Sequence, residues 1–192
     1  MSDENHHFFL RKYKEYLSPY LETYAWCLLS NHFHFLVRVK SFESITSTLN
    51  SIETTSLTIT EKKFLNNELN LSELIEGSFK RFFQSYALAF NKMHKRKGNL
   101  FYKPLKRLEV GSESHFNQAI VYIHANPVKH KIIKDFTTWK WSSYQAILSS
   151  TSTNLIRNEV LKWFGGKEQF IKTHLEMTRF YYDNGISIED ED

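Results

Sequence analysis

Two histidines separated by one residue, His32 and His34, are the first candidates for chemistry in this chain of 192 residues. They open the run HFHFLVRV, which has the apolar composition of a β-strand. Side chains alternate across a strand, so both imidazoles are expected on one face, with Phe33 and Phe35 pointing the other way into a core. Two neutral imidazoles side by side suit a divalent cation that keeps positions for water or a substrate oxygen.

The histidine pair alone does not establish a metal site. The chain contains nine histidines, and a His-X-His pair on a strand can also be solvated or hydrogen-bonded. The metal interpretation therefore depends on the other groups that the fold brings to the same face.

A second candidate is a basic strip interleaved with aromatic rings, HKRKGNLFYKPLKR, at residues 94–107. Its cations can contact phosphates while its rings stack on unpaired bases. The net charge is only +4 and the last four residues are acidic, so the positive charge is locally concentrated. An ordinary solvated surface is the alternative. The residues assigned to DNA contact are Lys95, Arg96, Lys97, Phe101, Tyr102, Lys103, Lys106 and Arg107.

Helical and extended patterns alternate along the chain. The predicted helices cover residues 3–17, 71–95 and 112–125, the last closed by Asn126-Pro127, and two more are broken at Gly165-Gly166. The predicted strands are YAWCLL, HFHFLVRV and NLFYKPLKRLEV, the last at residues 99–110. Residues 41–71, rich in Ser, Thr, Asn and Glu, predict a partly ordered insertion with short helical pieces.

Length and composition predict one domain with appendages in a reducing setting. The single cysteine excludes a disulfide framework within the chain. No apolar run approaches the roughly 20 residues of a membrane span, and the N-terminus lacks a signal-peptide pattern. We therefore expect a soluble, cytoplasmic protein.

Three blocks resemble motifs of the REP-associated tyrosine transposases, a group of HUH single-tyrosine transposases. LLSNHFHFLVRV is similar to their Pro-Asn-His-hydrophobic-His signature, with Ser30 in place of proline. AIVYIHANPVKHKII is similar to their Tyr-Ile-x-x-Asn-Pro-Val-Lys-His block. RKGNLFY is similar to their Arg-x-Gly-x-Leu-Phe-Gln block, with Tyr102 where glutamine is usual. The resemblance extends from about Phe8 to His174.

This resemblance implies an α+β fold. Residues 1–145 would form a ferredoxin-like βαββαβ HUH domain with residues 41–71 inserted, and residues 146–192 would form a C-terminal helical extension. The relatives begin with a strand carrying an Asn-Arg-Gly-like segment, and that strand is missing here. Because the first strand of such a sheet is central, its loss is expected to expose a neighbour's edge.

The resemblance also implies a catalytic centre. Tyr122 would be the nucleophile, and His32, His34 and Asn126 would bind Mg²⁺ or Mn²⁺. Asn126 follows Tyr122 by four residues, so on a helix the two share a face. A phenol with a pKa of about 10 is a poor nucleophile at neutral pH, and a divalent ion can favour phenolate and polarise a phosphate. Attack would join single-stranded, hairpin-forming DNA to Tyr122 through a 5′-phosphate and release a 3′-hydroxyl.

The sequence leaves other assignments open. Tyr122 can instead be a core aromatic of an amphipathic helix. Tyr86, which Asn91 and Lys92 follow, is the rival nucleophile. His124 and His130 are candidates for phosphate contact or for support of the metal ligands, or they are simply surface residues.

Three classes of function compete. The first is the metal-dependent nuclease and strand transferase. The second is a DNA-hairpin-binding protein that has lost catalysis, motivated by the missing strand. The third is a structural or regulatory protein with a solvated histidine pair. The expected partner is single-stranded or hairpin DNA, with no membrane association, and the protein is expected to be a monomer or a homodimer.

Overall fold

The structure, a computed structural model, describes residues 2–102 and 105–184. The chain forms two compact units. Described residues 22–38 and 107–184 form one of them, which we call the strand unit because it contains most of both strands. Described residues 2–21 and 39–106 form the other, which we call the helical unit.

Eight α-helices and two strands are present in the described part of the chain. In order they are α1 (Asp3–Tyr16), β1 (Leu21–Leu28), β2 (Phe33–Val39), α2 (Phe42–Asn50), α3 (Ile59–Leu65), α4 (Leu71–Met93), α5 (Glu113–Lys129), α6 (Tyr144–Leu148), α7 (Arg157–Phe164) and α8 (Lys167–Asn184). A short 3₁₀ helix, Phe136–Thr138, precedes α6. None of the described helices is long and apolar enough to cross a membrane.

The strands β1 and β2 form a two-stranded antiparallel sheet, which confirms both the α+β class and the predicted hairpin. The Leu29 N–H donates to the His32 carbonyl at 2.9 Å and closes the turn. Bridges Thr23–Leu155 and Cys27–Ser142 give β1 additional backbone partners. Other segments of the strand unit therefore cover at least part of the edge that the missing strand was expected to leave exposed.

The predicted strand at residues 99–110 is wrong for the part that the structure describes. Residues 99–102 and 105–110 form no regular secondary structure. Phe101 packs instead on α4, with its ring centroid 4.8 Å from that of Phe83. Residues 105–109 are exposed, so no neighbouring strand pairs with this segment and its alternating pattern has no sheet face to bury.

The helix α5 also departs from its predicted end. Ser112 caps it as expected, since its hydroxyl accepts from the His115 N–H at 3.3 Å. The helix then continues through Pro127 to Lys129. An interior proline removes one helical hydrogen bond and costs about 3 kcal/mol. Burial of the surrounding turn, including Val128 at 7% exposure, offsets this cost.

In the helical unit, aromatic rings hold α1 against α4. The Phe9 ring lies 5.0 Å from the rings of both Phe82 and Tyr86, edge-on in each case. The segment predicted as an insertion with short helical pieces contains α2 and α3, and the capping pair Thr58 and Glu61 begins α3. The helices predicted from periodicity at residues 3–17 and 71–95 are confirmed as α1 and α4, and short helices are present in residues 41–71 as expected.

The strand unit ends in the two predicted helices, which are broken at the paired glycines. Gly165 and Gly166 have φ angles of +80° and +110°, a region that favours glycine. This turn lets α8 begin at Lys167, directly after α7.

A buried chain of hydrogen bonds connects β1, α5 and α8. The Trp26 N–H donates to Ser143 Oγ at 2.9 Å, and that hydroxyl lies 2.7 Å from His124 Nε2. His124 Nδ1 lies 2.8 Å from His174 Nε2, and His174 Nδ1 lies 2.8 Å from the Phe170 carbonyl.

When both imidazoles are neutral, only one proton arrangement satisfies every link of this chain. The Phe170 carbonyl can only accept, so His174 donates through Nδ1 and accepts through Nε2. His124 then donates through Nδ1 and accepts the Ser143 hydroxyl proton at Nε2. Burial favours the neutral form of both imidazoles and lowers the pKa of each, so a neutral pair is required for full stability.

The pH dependence of stability follows from this requirement. Burial lowers the pKa of His174 from 6.5 to about 4. Its contribution is therefore complete above pH 6.5 and is lost as the pH falls toward 4, because the unfolded chain binds the proton first. At about 1.4 kcal/mol per pKa unit, the free energy of unfolding should be about 2 kcal/mol lower at pH 5 than at pH 7.5 from this group.

Urea unfolding at the two pH values measures this difference. In His174→Gln, which keeps a donor and an acceptor without a titrating ring, the drop between pH 7.5 and pH 5 should shrink by about 2 kcal/mol. His115→Gln changes an exposed histidine and is the matched control. An undiminished drop in His174→Gln would contradict the requirement for a neutral pair.

Candidate functional site

The histidine pair lies at the start of β2 with both rings on one side. The ring centroids of His32 and His34 are 5.1 Å apart. Phe33 and Phe35 contact each other at 5.8 Å, as the strand alternation predicts. These two rings are only partly buried, whereas the sequence predicted that they point into a core.

The helix α5 brings Tyr122 and Asn126 to this pair. The Tyr122 ring centroid is 5.8 Å from that of His34. Asn126, one turn later, is fully buried, and its Nδ2 donates to the Tyr122 carbonyl at 2.9 Å. This bond fixes the amide so that Oδ1 faces away from the carbonyl. The residues predicted for the metal centre and the nucleophile thus lie together in the strand unit.

His34 is held in its neutral form. Burial, together with the nearby charges of His32, His130 and Lys129, lowers its pKa to about 3. The Asn126 amide has a smaller opposing effect on the same pKa. An imidazole that is neutral at physiological pH keeps the lone pair that a metal ligand requires.

A neighbouring amide orients His32. His32 Nδ1 lies 2.8 Å from Asn31 Oδ1, an oxygen that can only accept, so neutral His32 carries its proton on Nδ1 and its lone pair on Nε2. Metal-binding histidines commonly have a fixed acceptor on the second ring nitrogen. Asn31, of the Ser-Asn turn, therefore prepares His32 for a ligand at Nε2.

The donor set fits a divalent cation. Asn126 Oδ1 is buried and has no hydrogen bond of normal geometry among the described residues. The Asn126 side chain also interacts with His34, whose pKa it raises, so a cation bound by both residues would lie next to this buried oxygen. Imidazole nitrogen and amide oxygen together suit Mn²⁺ or Mg²⁺ with remaining positions for water or phosphate. Across the described ranges, no group of three or more His, Cys, Asp or Glu side chains is arranged to hold a metal ion.

Two further residues of α5 and its C-terminal cap reach this site. Lys129 Nζ donates to Tyr122 Oη at 2.9 Å and lies 4.8 Å from the centroid of the same ring. His130, which is exposed, has its ring centroid 4.7 Å from that of His32. Sequence reasoning gave Lys129 no role. Its spacing of seven residues from Tyr122, two helical turns, was the available signal.

The tyrosine hydroxyl has polar surroundings although its ring is buried. Tyr122 is 5% exposed, which agrees with packing, yet its ring contacts His34 and its oxygen accepts from Lys129. Tyr86 is different, because it is fully buried and burial alone raises its pKa to about 12. That environment disfavours phenolate, so Tyr86 is a packing residue of the helical unit.

His124 also differs from the surface position considered for it. It is fully buried, and burial lowers its pKa well below the usual value. It is two residues after Tyr122 and belongs to the hydrogen-bond chain that reaches α8. Its role is therefore to hold α5, not to contact phosphate.

Most of the basic strip lies in the helical unit, and its side chains differ in exposure. Lys95, Lys97 and Lys106 are exposed. Tyr102 is 81% exposed, and its hydroxyl accepts from Arg96 Nη2 at 3.3 Å. The strip therefore presents one open ring and several cations to solvent, as a surface that stacks on bases requires.

Three other residues assigned to DNA contact are not part of this exposed surface in the helical unit. Phe101 packs on α4 and is an anchor of the loop instead of an open stacking surface. Arg107 is exposed and belongs to the strand unit. Lys103 lies outside the described residues.

Comparisons with protein-family models, curated proteins and solved structures find no match to this chain.

Proposed function

We propose that the protein is a metal-dependent single-stranded DNA endonuclease and strand transferase that forms a 5′-phosphotyrosine intermediate at Tyr122. This proposal is based on one observation. Tyr122 and Asn126 lie on one face of α5, and both are close to His34 of the histidine pair at the start of β2. A phenol, two imidazoles and a buried amide oxygen lie close together, which supports a metal-assisted attack by the phenol.

The proposed fold family is ferredoxin-like and of the HUH type. The antiparallel hairpin with the histidine pair at the start of its second strand supports it, as does the later helix that carries the tyrosine.

His32, His34 and Asn126 would hold Mg²⁺ or Mn²⁺. The ion would supply a Lewis acid for the scissile phosphate and favour the ionised phenol. Tyr122 would lose its hydroxyl proton to solvent, and its oxygen would form a bond to phosphorus. The bond between phosphorus and the 3′-oxygen would break with its electron pair on that oxygen, which would take a proton from water. Reversal by another 3′-hydroxyl would rejoin strands without ATP.

Binding of the DNA backbone is assigned to the basic strip. Its exposed lysines can contact phosphates in any sequence, and Tyr102 offers a ring to an unpaired base. Hairpin-forming repeats are the substrate that the motif resemblance implies, and they present unpaired bases beside a duplex. Such binding must weaken steeply as salt is raised, since phosphate contacts release counterions.

The test is a covalent trapping assay. The protein is incubated with a radiolabelled single-stranded hairpin library and Mn²⁺ or Mg²⁺, and the products are separated under denaturing conditions. We expect a DNA-linked protein band that EDTA prevents and that mass spectrometry maps to the Tyr122 peptide. If the native protein binds the hairpin library but gives no covalent band with either Mn²⁺ or Mg²⁺, the result would contradict catalysis.

One observation favours the second candidate, a catalytically impaired DNA-hairpin-binding protein. Tyr122 is only 5% exposed, so little of its surface is open to a phosphate. In that case the hairpin would bind through the basic strip with ordinary salt dependence and no adduct would form. The trapping assay and a binding titration on the same hairpins separate the two functions.

A further inference from the structure

Lys129 occupies a specific position beside the proposed nucleophile. Its ammonium donates a hydrogen bond of 2.9 Å to Tyr122 Oη and lies 4.8 Å from the ring centroid. Tyr122 and Lys129 are seven residues apart, so two turns of α5 bring them to one face. Both contacts involve one aromatic side chain, which restrains an otherwise flexible lysine.

The charge of Lys129 acts on the oxygen that must become negative. A hydrogen bond from a charged donor to an ionised oxygen is roughly twice as strong as a neutral one. Tyr122 is nearly buried, so solvent screens this interaction less than it would at an open surface. The Lys129 charge also reaches His34, where it is one of the causes of the lowered pKa.

We propose that Lys129 is a catalytic residue that holds the phenolic oxygen of Tyr122 in position and neutralises its developing charge during cleavage and rejoining. This inference rests on the proposed function. In cleavage, the phenol proton passes to solvent, the oxygen–phosphorus bond forms, and the departing 3′-oxygen takes a proton from water. In rejoining, the same bonds change in reverse, and Lys129 stabilises the phenolate as it leaves.

A purely structural role for Lys129 predicts different behaviour. The residue is in the last turn of α5, where any cation interacts favourably with the helix dipole. Such a role would be visible in stability and would be independent of the tyrosine. A role at the phenolic oxygen changes the rate of adduct formation at saturating DNA, because the interaction strengthens as charge develops.

The first measurement needs neither metal nor DNA. Protein labelled with ¹³C at the tyrosine Cζ gives one resonance per tyrosine, and the spectrum of Tyr122→Phe assigns that of Tyr122. We expect Lys129→Met to shift the Tyr122 resonance, because the hydrogen bond at its oxygen is lost. Lys134→Met, which changes an exposed lysine after α5, should leave it in place. An unmoved Tyr122 resonance in folded Lys129→Met would overturn the proposal.

The second measurement is the rate of covalent adduct formation at saturating hairpin, with affinity measured separately. In Lys129→Met the rate should fall about 100-fold, the scale of one lost donor to a developing oxyanion. Affinity should stay within about threefold, because the basic strip supplies most of the assigned phosphate contacts. Lys129→Arg should recover a substantial part of the rate, since it restores a charged donor with different geometry.

The two measurements separate failure of this proposal from failure of the proposed function. No adduct from the native protein would overturn the nuclease function and the catalytic role of Lys129 together, whatever the spectrum shows. A native adduct with an unchanged rate in Lys129→Met would overturn the role of Lys129 alone. A lost rate that Lys129→Arg does not recover, accompanied by a lower thermal midpoint in both variants, would assign Lys129 to structure and overturn the proposal.

Discussion

Tyr122→Phe is expected to abolish the covalent protein–DNA adduct and to leave the strand unit folded. The substitution removes only the phenolic oxygen, which is the atom that would bond to phosphorus. The ring contact with His34 at 5.8 Å is kept. Loss of the hydrogen bond from Lys129 should lower the free energy of unfolding by about 1 kcal/mol. The measurement pairs the trapping assay with a thermal unfolding curve.

Tyr86→Phe is the matched control for this result. Tyr86 is also a helical tyrosine near asparagine and lysine in sequence, but it lies in the helical unit and is fully buried. The adduct yield of Tyr86→Phe should equal that of the native protein. An adduct that persists in Tyr122→Phe and disappears in Tyr86→Phe would move the nucleophile to Tyr86 and refute the proposed site.

The hairpin and the placement of its histidines could be predicted because they depend on local pattern. Two apolar runs on either side of Ser30-Asn31 suit a hairpin, and a period of two puts His32 and His34 on one face in any strand. The break between helices at Gly165-Gly166 could be predicted for the same reason, because both residues have positive φ angles that favour glycine.

The errors arise where tertiary packing outweighs local preference. Residues 99–110 alternate as a strand does, but a strand needs a neighbour to pair with, and Phe101 instead packs on α4. Pro127 is a reliable helix breaker in isolation, yet buried contacts around it keep α5 helical to Lys129. Periodicity and propensity contain no information on either outcome.

Several contacts in and around the candidate site could also not be predicted from the sequence. The pairing of His124 with His174 joins residues fifty positions apart, so no spacing rule could indicate it. The contact of Lys129 with Tyr122 was available from helical spacing, but spacing could not show that the ammonium reaches the hydroxyl instead of solvent. Burial of Asn126, which leaves Oδ1 without a normal hydrogen bond among the described residues, required the packed helix.

Separate substitutions His32→Ala and His34→Ala are expected to reduce adduct formation at least 100-fold and to leave hairpin affinity within a few-fold. Each removes one imidazole from the proposed cation site, so Mn²⁺ binding, followed by the electron paramagnetic resonance signal of the free ion, should weaken in parallel. His115→Ala changes an exposed histidine outside the site and is the control for both measurements.

The preserved affinity is the decisive part of this prediction. If the basic strip binds the backbone, both histidine variants should retain the native slope of log affinity against log salt. Lys95→Glu combined with Lys97→Glu changes two exposed cations of the strip, so affinity and slope should both fall while Mn²⁺ binding is retained. Folded His32→Ala and His34→Ala proteins that lose hairpin binding as completely as adduct formation would refute the division between the metal site and the basic strip.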